Sequence, residues 1–133
     1  MANIQSISRG YKTSSIDSVF KPYPGVTLVA GDLVKQVSAT EVNLATLADG
    51  EDCVVYMVLE GNDTFSGQET VKVVCLSGLF ETTVTSYNTG SFVVNAPLTA
   101  ASGKFSVQSS TKKTIAHVIS FSLSQGLKVR FNY

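Results

Sequence analysis

Residues 114–131 read TIAHVISFSLSQGLKVRF, and this stretch decides the predicted fold class. In residues 114–123, one face of an extended chain would carry Ile115, His117, Ile119, Phe121 and Leu123. In residues 127–131, apolar residues alternate with Lys128 and Arg130. Alternation with period two is typical of strands that bury one face in an antiparallel sheet. The Gln125-Gly126 pair between the two runs predicts a tight hairpin.

The chain from residue 25 onward continues as short apolar runs separated by Gly, Asn, Asp and Ser turn signals. The 133 residues include 18 Val, 17 Ser and 13 Thr, which favour strands and turns. We expect strands near residues 26–30, 33–38, 41–46, 52–60, 70–76, 79–87, 91–95, 104–109, 114–124 and 127–132. The predicted fold is therefore all-β, an antiparallel β-barrel or β-sandwich of about ten short strands.

Two segments have some helical character. Residues 39–48 and residues 96–102 could each form one or two helical turns. Neither segment is long enough to be a stable helix without packing.

Residues 1–24 differ from the rest and are predicted to form an extended N-terminal arm, which leaves residues 25–133 as a single β domain. Apolar residues occur singly in the arm, without a strand or helix period. The arm ends in the turn-like Lys21-Pro22-Tyr23-Pro24-Gly25. Spaced apolar side chains of this kind suit binding along the chain's own domain or along a neighbouring molecule, and a disordered leader is the alternative. The side chains predicted to bind a partner are Ile4, Ile7, Tyr11, Ile16, Val19 and Phe20.

The formal net charge is zero, which favours neither a nucleic acid nor a membrane surface as partner. The charges are segregated along the chain: residues 1–40 carry +2, residues 41–81 carry −7 and residues 82–133 carry +5. Oppositely charged surfaces would suit docking between subunits. The predicted inter-subunit charges are Lys112, Lys113, Lys128 and Arg130. The alternative is that the three segments interleave in the fold and their charges cancel.

Few residues could carry chemistry. His117 is the single histidine and lies on the predicted apolar face, where a core or interface histidine is expected. Cys53 and Cys75 lie in apolar runs, where thiols are expected to be buried and inert. The sequence shows no zinc-ligand spacing, no calcium loop and no glycine-rich phosphate loop. We predict no catalytic residue, no metal and no cofactor, and a protein that is not an enzyme.

The N-terminal residues and the apolar runs bear on location. Residues 1–9 lack the basic start and apolar run of a signal peptide. The longest apolar run, residues 53–59, is far too short to cross a membrane. We therefore expect synthesis in a cytoplasm, free thiols and no membrane partner.

The order of motifs carries a family resemblance. After the irregular arm comes Gly31-Asp32-Leu33-Val34, followed about ten residues later by Val42-Asn43-Leu44-Ala45. Glycine-separated Val/Thr strands follow, with Gly103-Lys104-Phe105-Ser106-Val107 and a last strand from Leu127. This layout resembles the small decoration, or cement, proteins that tailed bacteriophages add to their capsids.

The resemblance implies a non-enzymatic β-barrel or β-sandwich that forms trimers at local threefold sites on the outside of the phage head. The arm would contact the major capsid protein or a neighbouring copy, and the protein would stabilise the shell against the pressure of the packaged DNA. The implied location is the virion, after synthesis in the host cytoplasm. Direct contact with nucleic acid is not expected.

Two other classes stay open: a different phage structural module, of the tail tube or a fibre, and a ligand-binding β-barrel for nucleic acid or carbohydrate. An oligonucleotide-binding barrel would use Phe92, Phe105, Phe121 and Phe131. These phenylalanines occupy expected core positions, however, and the acidic middle of the chain would repel a phosphate backbone. The lack of tryptophan argues against a carbohydrate platform.

Overall fold

The computed structural model describes residues 4–7, 18–65, 68–76, 81–109 and 111–131. These residues form β-strands and contain no α-helix, so the all-β prediction is confirmed. Within the same residues, no helix is long and apolar enough to cross a membrane. The strands are β1 (Ile4–Ile7), β2 (Ser18–Pro22), β3 (Leu33–Gln36), β4 (Glu41–Leu44), β5 (Val55–Phe65), β6 (Gln68–Cys75), β7 (Glu81–Val84), β8 (Pro97–Ala101), β9 (Lys104–Val107), β10 (Ala116–Ser122) and β11 (Gly126–Arg130).

The strands form two sheets. Five of them close into a barrel in the order β2-β4-β3-β5-β6, and six form an open sheet in the order β1-β7-β11-β10-β8-β9. Strands β2 and β4 pair in parallel, whereas every other strand pair described is antiparallel. The fold therefore combines the two predicted architectures, because a closed barrel packs against an open sheet.

Three barrel strands are buried on both faces. Val34 of β3 and Val58 of β5 belong to an apolar cluster built from alternate residues of the barrel strands, which fills the barrel. Their neighbours Leu33 and Met57 belong to a second cluster, shared with the open sheet. Strand β6 divides its valines between the two clusters in the same way. Burial on both faces explains why these strands contain adjacent apolar residues, Leu33-Val34, Met57-Val58 and Val73-Val74, rather than strict alternation.

The central strands of the open sheet bury one face only. In β11, Leu127 and Val129 are buried, while Lys128 and Arg130 point outward. In β7 the inward residues are Thr82 and Val84. The alternation predicted for residues 127–131 is therefore confirmed, as is the hairpin, because β10 and β11 pair in antiparallel fashion.

The predicted inner face of β10 is wrong over most of its length. Ala116 and Val118 are buried, whereas His117 is half-buried on the outer face and Leu123 is 90% exposed. A β-bulge between Val118 and Ser120 shifts the register. Even-numbered residues face inward before the bulge and odd-numbered residues after it, so that Phe121 packs against the shared core. Simple alternation cannot reveal a bulge inside a strand.

The C-terminal part of the predicted arm belongs to the barrel. Residues 18–22 form β2, which closes the barrel by pairing with β4 and β6. The ring of Phe20 packs edge-on against Tyr56, with centroids 5.5 Å apart, so Phe20 contacts its own domain. Val19, in the same strand, is exposed. Without β2 the strands β4 and β6 would be open edges, which explains why this segment joins the barrel.

The N-terminal part of the predicted arm pairs with the same chain where it is described. Residues 4–7, which include Ile4 and Ile7, form β1 and pair with β7 at the edge of the open sheet. Tyr11 and Ile16 lie outside the described residues.

Two predicted strands are loops, and both segments with helical character contain a strand. Residues 26–30 form a loop because side chains satisfy its backbone: Asn62 accepts a hydrogen bond from the Leu28 N–H, at 3.0 Å, and Asp32 accepts one from Val29. Residues 91–95 also form a loop. Residues 97–101, by contrast, form β8, and residues 41–44 form β4. Pairing within sheets overrides weak helical character in both places.

Backbone contacts join the sheet to the barrel at the β8–β9 turn. Leu33 donates to the carbonyl of Gly103 at 2.8 Å, and Gly103 donates to Ala45 at 2.9 Å. Gly103 has a φ of 77°, and a Cβ there would overlap the side chain of Leu44. The two sheets therefore share a core and a hydrogen-bonded junction, and they form one body.

Candidate interaction surface

Lys112 and Lys113 pair with acidic residues of their own chain. Lys113 Nζ lies 2.9 Å from Asp52 Oδ1 and also donates to the Cys53 carbonyl. Lys112 Nζ lies 4.0 Å from Asp49 Oδ1. These pairs join the acidic middle of the chain to its basic end. At these pairs the segments interleave and their charges cancel, and contact of these two lysines with another subunit stays a prediction.

Lys128 and Arg130 share one carboxylate, Glu81. The Arg130 Nη2–Glu81 Oε2 distance is 2.6 Å, and the Lys128 Nζ–Glu81 Oε1 distance is 3.5 Å. The side chain of Glu81 is 13% exposed, against 49% for Arg130 and 44% for Lys128. The hydrogen bond from Arg130, aided by the charge of Lys128, holds the pKa of Glu81 below its ordinary value. The carboxylate thus lies beneath the two cations, which are the groups presented outward.

Strand register arranges the outer face of β7, β11 and β10 in two polar rows. The rows are Glu81–Arg130–His117 and Thr83–Lys128–Ser120. We call this surface the outer face. Its three charged side chains, Glu81, Lys128 and Arg130, sum to +1. The charged residues come from β7 and β11 and the histidine from β10, so only the paired register brings them together.

Two depressions adjoin on the outer face. The smaller, of about 380 Å³, is lined by Asn95, His117 and Arg130 against Val118 and Ile119. The larger, of about 510 Å³, has the polar lining residues Thr83, Ser120, Ser122, Ser124, Gln125 and Lys128. Within the described part of the chain, no carboxylate lines either depression. Side chains that donate hydrogen bonds line both depressions: Asn95, His117 and Arg130 line the smaller, and Gln125 and Lys128 line the larger.

An exposed apolar loop flanks the smaller depression. Val93 and Val94 are 62% and 67% exposed. The loop is fixed on both sides of these valines, because Phe92 packs on Phe121 with centroids 5.2 Å apart and the Asn95 N–H donates to the Val118 carbonyl at 2.8 Å. Asn95 has a φ of 70°, a left-handed conformation that asparagine tolerates better than most residues. The two valines are thus held outward by an ordered loop.

Three aromatic rings support this loop. Tyr87 contacts Phe92 and Phe121 edge-on, with centroids 5.4 and 5.2 Å apart. Phe92 and Phe121 also contact each other. All three rings pack against the shared core. Because each ring meets the other two, they form a packed cluster rather than a flat stacking platform.

The surroundings of the two thiols and of the partly buried acid Asp32 indicate structural rather than reactive roles. Cys53 and Cys75 are free, as predicted, but half-buried rather than buried. Burial, and next the charge of Glu51, raises the pKa of Cys53, which keeps its thiol protonated and weakly nucleophilic at neutral pH. Burial also raises the pKa of Asp32, which accepts the Val29 N–H and holds a loop. The described residues include no group of three or more His, Cys, Asp or Glu side chains that could hold a metal ion.

No family model, no curated protein and no solved structure matches this chain. The outer face and its apolar loop are therefore defined by the chain's own geometry. Of the predicted site residues, the structure brings Lys128 and Arg130 together here and places Lys112 and Lys113 in separate pairs. Glu81 and the loop around Asn95 were not among the predicted site residues. Asn95 and Pro97 were available turn signals for that loop.

Proposed function

We propose that this protein is a non-enzymatic virion structural protein, a decoration protein that binds the outside of a tailed-bacteriophage head and stabilises the shell. The observation that carries the proposal is the exposed apolar loop at Val93 and Val94, held by an ordered aromatic cluster on a rigid β fold. Two adjacent exposed valines on a fixed loop suit contact with another protein. The motif order that resembles cement proteins supports the same function.

The partners would be the major capsid protein and other copies of this chain. A capsid repeats each binding site many times, so modest contacts per copy suffice when copies also bind one another. Copies around a threefold axis would make heterologous contacts, in which two different surfaces of the chain meet. The residues of the predicted arm that lie before β2 remain candidates for contacts with the shell.

The packed barrel lowers the case for a ligand inside it. Its interior is filled by Leu28, Val34, Val42, Val58, Val71 and Val73, all at most 1% exposed. A ligand-binding barrel keeps room for its ligand, whereas this interior is occupied by its own side chains.

A second candidate function is carbohydrate binding at the larger depression of the outer face. The hydroxyl groups of Thr83, Ser120, Ser122 and Ser124 line it, and hydroxyl-rich linings suit sugar hydroxyls. This candidate predicts binding of a neutral oligosaccharide to the isolated protein, which isothermal titration calorimetry would detect.

The test of the decoration function uses undecorated heads assembled from the major capsid protein of the genome that encodes the chain. The purified protein is incubated with these heads, sedimented and imaged by cryo-electron microscopy. We expect saturable binding and regular density on the outside of the shell. Failure to bind overturns the proposal, and hexameric rings of the free protein would favour a tail-tube module instead.

A paired substitution sharpens the test. Val93→Asp with Val94→Asp should weaken binding to heads by about tenfold or more, because a charge replaces each apolar contact. Val54→Asp is the matched control, since Val54 is also an exposed valine but lies in the loop directly before barrel strand β5. The control should bind within about twofold of the unmodified protein, in line with small surface effects.

A further inference from the structure

The geometry points to a second contact site, in which the outer face binds a protein segment that carries carboxylates beside apolar side chains. The inference deepens the proposed function, on which it rests for the identity of the partner, the capsid shell. It concerns Lys128, Arg130, His117 and Asn95, which are distinct from the exposed valines that carry the function itself.

The outer face exposes its two cations more than the carboxylate that they pair with. The side chain of Glu81 is mostly covered, while the side chains of Lys128 and Arg130 that pair with it are about half exposed. An approaching partner therefore meets an ammonium and a guanidinium before it meets the carboxylate. Arg130 bonds to Glu81 through Nη2, and its planar guanidinium has a geometry that suits carboxylates.

The chemistry of the depressions also favours an anionic ligand. Asn95, His117 and Arg130 converge on the smaller depression, and Lys128 lies with four hydroxyl side chains in the larger. Amide, imidazole, guanidinium and ammonium groups all donate hydrogen bonds, and a carboxylate accepts them. With no carboxylate in either lining among the described residues, the surface complements an anion.

Apolar side chains beside the smaller depression favour a protein segment over an acidic glycan as the ligand. The lining of the smaller depression includes the half-buried Ile119, and the exposed Val93 and Val94 precede Asn95 directly. Apolar side chains next to carboxylates match this combination. The nearby rings pack edge-on against one another, so this surface lacks the open aromatic face that favours binding of a sugar ring.

The experiment compares two lysines in equivalent pairs. Lys128 lies 3.5 Å from Glu81 on the outer face, and Lys72 lies 3.4 Å from Glu60 on the barrel. Binding of Lys128→Gln and Lys72→Gln to undecorated heads is measured, with Lys128→Arg as the charge-preserving variant. Thermal unfolding confirms that each variant is folded before binding is measured.

We expect Lys128→Gln to weaken binding to heads by about threefold to tenfold, mainly through slower association, and to reduce its salt dependence. Lys128→Arg and Lys72→Gln should stay within about twofold of the unmodified protein. A synthetic peptide of alternating Glu and Val should compete with the heads, whereas a peptide of alternating Ser and Val should not.

The outcomes separate this inference from the proposed function. If heads bind the protein but Lys128→Gln behaves like Lys72→Gln, the inference is overturned and the decoration function stands. If heads do not bind, the function is overturned, while saturable binding of the Glu-Val peptide, lost in Lys128→Gln, would still support the carboxylate site. Tighter binding of an acidic oligosaccharide than of the peptide would overturn the protein segment as occupant.

Discussion

The barrel and the open sheet use their strands in opposite ways. Strands β3, β5 and β6 of the barrel bury both faces, one in the barrel and one in the shared core. Strands β7 and β11 of the sheet bury one face and present polar rows on the other. Where both faces are buried, little side-chain surface is left for a partner, and the exposed residues of these strands, such as Gln36 and Glu60, lie at the ends of the buried stretches. The comparison therefore assigns packing to the barrel and recognition to the sheet.

The largest expected effect comes from the core that the two parts share. Met57→Ala should lower the free energy of unfolding by about 2–5 kcal/mol, since it removes a fully buried side chain from the cluster that joins barrel and sheet. Chemical denaturation followed by circular dichroism measures it. Leu123→Ala is the control, because Leu123 is 90% exposed and its loss should change stability by about 0.5 kcal/mol or less. Separate unfolding transitions for barrel and sheet would contradict a single shared core.

A smaller effect is expected at the β10–β11 hairpin. Gly126 has a φ of 93°, and a Cβ there would overlap the carbonyl oxygen of Val84 in the adjacent strand. Gly126→Ala should destabilise the protein by about 1–3 kcal/mol through left-handed strain and the clash. Gly25→Ala is matched, with a φ of 83° and open space around its Cβ, so it isolates the strain. Equal effects of the two substitutions would show that the sheet gives way without cost.

The charged row of the outer face should give a pH effect. Because Arg130 and Lys128 hold the pKa of Glu81 below its ordinary value of 4.5, the carboxylate stabilises the fold above that pH. This stability is lost as the pH falls below about 4.5 toward the lower folded pKa. The melting temperature of Glu81→Gln should therefore decrease less over that acid range than that of the unmodified protein. The difference should be modest, because the two cations are exposed to solvent. An unchanged pH profile would mean that the pairing contributes nothing.

The smallest expected effect on stability is at the apolar loop. Val94→Asp should change the free energy of unfolding by about 0.5 kcal/mol or less, because the side chain is 67% exposed. Differential scanning calorimetry measures this directly. A large loss of stability would show that the loop belongs to the core, and it would weaken the proposed role of the loop in binding.

The same comparison explains what the sequence could predict. One-sided strands such as β11 leave an alternating pattern, so their faces were predicted correctly. The bulge in β10 reversed the faces of that strand, and no local signal marks the extra residue. Strand β2 was predicted as part of an arm, because its pairing with β4 and β6 joins segments that are distant in the chain and that local periodicity does not connect.

The candidate surface was predictable only in part. Lys128 and Arg130 were identified as interaction residues from charge alone. Their shared carboxylate, Glu81, required the register of β7 against β11, which sequence spacing does not determine. Lys112 and Lys113 were predicted in the same group, but they pair with acidic residues of the loop before β5. The fold, which charge alone does not reveal, thus divides the four predicted residues between two places.

Hydrogen–deuterium exchange of the protein, free and bound to undecorated heads, tests most directly whether the sheet rather than the barrel meets the shell. Mass spectrometry then reports protection peptide by peptide along the chain. We predict slower exchange on binding in residues 91–96 and 116–130, with residues 33–44 of the barrel unchanged. Protection confined to barrel strands, or no protection in any part of the sheet, would contradict the account.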